Sequence, residues 1–216
     1  MMWNDPVNNT DRPDAEARWP ALVGLLAIGG LFMGLPDPLT PGPNWLLLVI
    51  IAALGAGSVF THWGGMHRVN SVVGYALSAV VTLALAFSLG ALIAGLPSHR
   101  ESATALLLSA GSLWLSNILV FASWYWRLDA GGPHQRDLRG KHVEGAFLFP
   151  QMTVRTEKHW APGFVDYLSL AFNTSTAFSP ADVAPLTRWA KMLMMVQSMI
   201  SLGAIVILGA RAVNIL

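Results

Sequence analysis

The chain contains no cysteine, which excludes disulfide staples, thiolate metal sites and a cysteine nucleophile. Charge is scarce as well: Asp, Glu, Lys and Arg make up 12% of its 216 residues, about half of what an ordinary soluble domain carries. The 13 basic and 12 acidic residues nearly cancel, and at a pI near 8.2 there is no stripe of Lys and Arg to follow a phosphate backbone, so nucleic acid is excluded as a partner. No HExxH, GxSxG or Walker pattern occurs, and the acidic residues lie at the ends of apolar stretches or between them, so no catalytic residue is indicated and no cofactor is called for. There is no internal repeat, which removes the support an inverted-repeat transporter would need. Residues 1–19 have no apolar h-region and no small-residue cleavage site, so the first apolar segment is expected to act as its own insertion signal behind a short polar tail, 1–18.

What the chain does have is apolar length. Hydrophobic residues make up 54% and the mean hydropathy is +0.51, which indicates an integral membrane protein. Crossing a hydrocarbon core of roughly 30 Å takes about 20 residues of helix. Five stretches qualify: 19–35, 45–61, 69–96, 102–126 and 189–213. A sixth, 164–178, is shorter, carries Asp166 near its start and ends in Asn173, Thr174, Ser175 and Thr176, which suits a re-entrant half-helix better than a span. The expected fold class is therefore all-α, a polytopic membrane protein of about five transmembrane helices plus a re-entrant segment. Its regions are a four-helix part over 19–126, an extramembrane connection over 127–163, and the half-helix with the last span over 164–216.

The punctuation agrees. Pro36, Pro38, Pro41, Gly42 and Pro43 make the first connection a stiff non-helical turn, and Ser98 with Glu101 reads as a capping box ahead of the fourth span. Trp19, Trp45, Trp63, Trp124, Trp126, Trp160 and Trp189 fall at span ends, where an indole sits best at headgroup level. Gly30 and Gly34, or Gly55 and Gly57, are candidates for close helix approach, and Ser116, Asn117 and Ser123 for polar contacts between helices. His62 and His67 are five apart, off the spacing that would align them on one helix face, and His134, His142, His159 and Glu144 scatter through the long connection, so no metal site is indicated. That connection also carries Arg127, Arg136, Arg139, Lys141, Arg155 and Lys158, which by the positive-inside rule places it in the cytoplasm.

The last third holds the candidate functional segment. A short apolar stretch that stops in Asn173, Thr174, Ser175 and Thr176, passes Ala177 and Phe178, turns at Ser179-Pro180 and reaches Asp182 before a full-length span has the layout of a pore loop. Residues 167–202 resemble the pore helix, filter and inner helix of two-span potassium channels. Thr174 to Ser179 stand where that family has its filter, and Pro185-Leu186-Thr187 precede a Met-rich helix. The resemblance implies a tetramer, monovalent ions and a pore loop entering from outside, against the charge distribution. Ala177 and Ser179 occupy the two filter glycine positions, and left-handed backbone there costs roughly 1 kcal/mol or more apiece. Any selectivity would then fall to the hydroxyls of Thr174, Ser175, Thr176 and Ser179 or to Asp182.

Residues 116–133, 147–151, 162–198 and 210–216 also resemble a widespread family of small bacterial inner-membrane proteins, which implies a multi-pass location in that membrane. Plainer roles stand beside the pore. Ser179-Pro180-Ala181-Asp182 also reads as a simple helix start, and Thr174 to Thr176 can close onto their own helix carbonyls. Gln197, Ser201 and Arg211 share one face of the last helix, suited to packing or to lining a pathway, and Arg211 is near enough to the chain end to snorkel. The expectation is a channel-like homo-oligomer in the lipid bilayer, weakly selective or not potassium-selective; the alternative is a non-conducting scaffold or accessory subunit.

Overall fold

The computed structural model describes residues 16–95, 102–138, 145–153, 160–176 and 183–213, with only the backbone at 62, 63, 67, 103 and 210–213. The described chain is mostly helical: α1 (Trp19–Met33), α2 (Leu46–Trp63), α3 (His67–Gly95), α4 (Ala103–Leu128), α5 (Pro133–Asp137), α6 (Phe164–Thr176) and α7 (Arg188–Val213). One antiparallel pair, β1 (Phe147–Leu148) with β2 (Ala184–Pro185), completes it. Three helices carry stretches long and apolar enough to cross a membrane, Arg68–Gly95, Thr104–Gly131 and Arg188–Gly209; α1 and α2 are apolar but shorter.

Side-chain contacts fix the direction of each helix. Gly29 faces Leu48 and Gly55 faces Leu22, so α1 and α2 run antiparallel. Ser58 Oγ donates to Asn70 Oδ1 across the α2–α3 turn at 2.5 Å, and Trp124 Nε1 donates to Thr82 Oγ1 between α3 and α4 at 2.8 Å. Arg127 at the end of α4 lies against Gly74 near the start of α3. The same end of the bundle therefore holds the starts of α1, α3 and α7 and the finishes of α2 and α4.

α7 shows why the bundle is not a soluble one. It buries Ala190, Met194, Gln197, Ser201, Ala204 and Ile207 and exposes Met192, Met195, Val196, Met199, Leu202 and Val206, so most of its large apolar side chains face out. A helix of a soluble bundle turns its apolar stripe inward; here small and polar side chains pack inward and apolar ones face out, the arrangement lipid favours. Trp19 and Trp45 at helix starts are exposed at 67% and 52%, as expected of interfacial indoles.

Element boundaries follow the apolar stretches, with differences of detail at the caps and at the helix contacts. Ser102 caps α4, its Oγ accepting from Ala105 N at 3.2 Å, while the expected capping pair Ser98 and Glu101 lies outside the described residues. The alternative helix start at 179–182 lies outside the described residues, and α7 begins within one residue of the expected 189. Pairing of Ala184–Pro185 with Phe147–Leu148 keeps the chain extended, and α7 opens at Arg188 with Thr187 Oγ1 accepting from Ala190 N at 3.4 Å. Of the glycines expected at close approaches, only Gly55 faces another helix, its Cβ position 3.8 Å from Leu22 Cδ2; a Cβ on Gly30 or Gly57 meets nothing within 4 Å and one on Gly34 only its own Leu31 carbonyl, whereas on Gly29 it would fall 2.6 Å from Leu48 Cδ1. Composition names the glycines in a helix but not the face on which they sit.

Past α4 the chain turns sharply through Ala130, Gly131 and Gly132, at φ 51°, 82° and 90°. A Cβ on Gly132 would lie 2.9 Å from the Arg127 carbonyl oxygen, so only glycine fits. This turn folds α5 back over the end of α4.

Candidate functional site

The polar residues of the last third meet at one place, midway along the bundle between α4, α6 and α7. Gln197 is completely buried. Its Nε2 donates to the Ala171 carbonyl and to Ser175 Oγ, both at 2.7 Å, and its Oε1 accepts from Tyr125 Oη at 2.5 Å. One turn further, Asn117 Nδ2 donates to Ser201 Oγ at 2.8 Å and to the Gln197 carbonyl at 3.3 Å. The glutamine thus fastens α6 and α4 to α7 with both of its side-chain N–H groups and one of the two lone pairs of Oε1 in use. Of the other predicted contacts, Ser123 Oγ donates to the Leu119 carbonyl of its own helix, and Ser116 Oγ has no partner among the described residues.

The hydroxyls of the pore-like segment take their plainer role. Thr174 Oγ1 donates to the Leu170 carbonyl at 2.8 Å, and Thr176 Oγ1 to those of Phe172 and Asn173 at 3.1 and 3.3 Å. Thr174 and Ser175 are buried, while Asn173 and Thr176 are half-buried. Between α6 and the outer side of α7 an open groove of about 790 Å³ is lined by Asn173, Lys191, Ser198 and the methionines 194, 195 and 199. Ala177, Phe178, Ser179 and Asp182 lie outside the described residues, as does the side chain of Arg211 in the last turn of α7.

No protein-family model, curated protein or solved structure matches the chain. The functional reading therefore rests on its own geometry.

A second polar cluster, which the sequence did not reveal, sits at the end where α4 finishes. Asp129 is completely buried; Oδ2 accepts from Tyr167 Oη at 2.6 Å and Oδ1 from the Ala146 N–H. Arg136 Nη1 donates to the carbonyls of Trp126 and Asp129 at 2.8 and 3.0 Å, satisfying acceptors at the end of α4 that the helix leaves open, and Nη2 donates to Glu16 Oε2 at 2.8 Å. Its guanidinium also lies 5.2 Å from the centre of the Tyr167 ring. Glu16 Oε1 accepts from Trp126 Nε1, and Arg18 pairs with Asp137 at 2.8 Å. Burial pushes the Glu16 carboxyl above 4.5, outweighing the opposing pull of Arg136 and of hydrogen bonds from Arg136 and Trp126. Each of these residues reads in sequence as an ordinary span-end or loop residue. Only the Gly131-Gly132-Pro133 turn hints that the chain doubles back.

Proposed function

We propose that the chain is a multi-pass inner-membrane protein in which α1 to α4 and α7 cross the bilayer, α6 with the segment up to β2 forms a re-entrant hairpin, and several copies enclose a weakly selective ion pathway. The observation that carries this reading is the return of the chain. α6 starts at the end where α4 finishes and is 13 residues long, about 20 Å of rise, so it covers about two thirds of a hydrocarbon core. β2 then pairs with β1 at the starting end, and α7 sets out from there. Non-helical backbone at membrane depth is tolerated where it is buried in protein or lines a cavity, and a pathway between copies meets that condition.

The hairpin enters from the end that carries Arg18, Arg68, Arg127, Arg136, Arg188 and Lys191, which supports a cytoplasmic entry and an odd number of spans. The groove between α6 and α7, with Asn173 and Ser198 on its wall, is the surface that would face the axis. Lys191 on the same wall opposes cations, and Ala177 and Ser179 disfavour a carbonyl filter, so discrimination is weak.

The Gln197 network favours a second reading, a non-conducting scaffold or accessory subunit, because it uses Ser175 as a packing contact. Ion flux into liposomes separates the two. Flux that Asp182→Asn alters, with the fold retained, supports the pathway; a monomeric, well-folded protein without flux under any ion gradient or potential supports the scaffold.

A further inference from the structure

At the end of the bundle where α4 finishes, α1 to α4 enclose a cavity of about 350 Å³. Its wall divides by chemistry, with Leu22, Leu25 and Val59 on one part, Ser58, Asn70 and Arg127 on another, and the paired Glu16, Arg18 and Asp137 at its edge. A smaller cavity of about 120 Å³ is lined by Arg127 and Asn70 as well, together with Tyr75 and Gln135. Arg127 borders both.

The carboxylates nearby are engaged: Glu16 with Arg136 and Trp126, Asp137 with Arg18. Arg127 is not matched in this way. Its Nε is enclosed without a hydrogen-bond partner, among the described residues no carboxylate pairs with the guanidinium, and Cζ lies 5.3 Å from the centre of the Trp126 ring. The seat is made for it by Gly74, where a Cβ would stand 1.8 Å from Nη1 and 2.6 Å from Cζ. A snorkelling arginine extends its head into water, but this one crosses the bundle onto α3 with its Nε enclosed. An enclosed cation without a counter-charge is costly, and an anion in the adjoining cavity removes that cost.

We propose that this cavity binds a phosphate-bearing anion, with Arg127 as the principal ligand and the Asn70 amide N–H beside it as a neutral donor, its carbonyl held by the Ser58 hydroxyl. The guanidinium fork matches phosphate oxygens, and basic pockets between membrane helices near the cytoplasmic surface are where phospholipid headgroups bind. The apolar wall of Leu22, Leu25 and Val59 can take the first part of an acyl chain. A free phosphate would use the same polar groups and leave that wall uncovered. The site stands whether or not the α6–α7 groove conducts.

The test uses full-length protein in detergent, stripped of lipid, with thermal stability and native mass spectrometry as readouts and three probes: phosphatidylglycerol, phosphatidylcholine and inorganic phosphate. Wild type is expected to bind phosphatidylglycerol one to one with a rise in melting temperature, to ignore phosphatidylcholine, and to lose affinity roughly tenfold or more in Arg127→Gln. A rise with phosphatidylglycerol alone assigns the site to a lipid headgroup; an equal rise with inorganic phosphate assigns it to the free anion, and either supports the proposal. Gly74→Ala, which displaces the guanidinium without removing its charge, should weaken binding in the same direction. Equal response to phosphatidylglycerol and phosphatidylcholine, or unchanged affinity in a folded Arg127→Gln, overturns it. Should Arg127→Gln fail to fold, wild type decides by itself: no response to phosphatidylglycerol or to phosphate overturns the proposal.

Discussion

Replacing Gln197 with Met keeps the volume of the side chain and removes its three hydrogen bonds. The consequences for the three partners differ. Ser175 is four residues beyond Ala171, so its hydroxyl can turn to the Ala171 carbonyl that Gln197 vacates, and those two groups satisfy one another. Tyr125 has no such recourse: it is completely buried, packed against Phe121 and Phe147, and Gln197 is the acceptor of its hydroxyl. One orphaned phenol is therefore the main cost, about 1–3 kcal/mol. Polar contacts between membrane helices have measured nearer 0.6 kcal/mol on average, so the lower part of that range is the expectation. The assay is thermal or denaturant unfolding in detergent of wild type, Gln197→Met, Tyr125→Phe and the double variant. Tyr125→Phe removes the stranded hydroxyl, so the double variant should be less destabilised than the sum of the two singles. Strict additivity would refute the account, because it would mean that the tyrosine and the glutamine do not depend on one another.

Three further outcomes are expected. Because burial raises the Glu16 carboxyl above its ordinary value, the stability its neutral form contributes is complete below that ordinary value and is lost as pH rises through the folded one; the melting temperature of wild type relative to Glu16→Gln should accordingly fall as the pH rises above about 4.5. Since the chain has no cysteine, Leu138→Cys and Pro43→Cys each carry a single exposed thiol at opposite ends of the bundle; a membrane-impermeant thiol reagent on intact cells should label the second and spare the first, and the reverse would invert the proposed orientation. Gly29→Ala should destabilise by about 1–3 kcal/mol, because the new methyl falls 3.0 Å from Leu48 Cα as well as 2.6 Å from its Cδ1. Gly30→Ala, facing open space, should be neutral or gain up to about 1 kcal/mol in unfolding measurements.

The helices were legible because lipid imposes its own ruler. An apolar stretch must reach a certain length, and tryptophans and charges mark where it stops, so α1 begins at Trp19 and α6 at Phe164 as the sequence indicates. The polar face of α7 was legible for the same reason: Gln197 and Ser201 have no reason to be in a membrane helix unless they meet a partner. Which partner was not legible. Glu16 reaches Arg136 across 120 positions, and Tyr167 reaches Asp129 across 38; neither pair has a spacing that a helix or strand would advertise. The start of α7 was legible to within one residue, Arg188 against an expected 189, whereas the pairing of Ala184–Pro185 with β1, more than thirty residues upstream, has no local signal in the sequence.

The two polar clusters act on the same element. α6 is too short for bilayer thickness to fix its depth, so its position has to come from specific bonds. One lies near its start, where Tyr167 donates to Asp129, and the other near its end, where Gln197 grips Ala171 and Ser175. Asp129 is in turn bound to Ala146, one residue before β1, and the carbonyl of Ala146 accepts from the Leu186 N–H, so the chain that leaves α6 is anchored to the cluster that holds its beginning. α6 is thus a half-helix fixed at both ends against α4 and α7. On the proposed reading, such a doubly anchored half-helix is the fixed wall of the hairpin, and a substitution in the Glu16, Arg136 and Asp129 cluster should shift α6 through the Tyr167 bond and the β1–β2 pair, which altered flux with the fold retained would register.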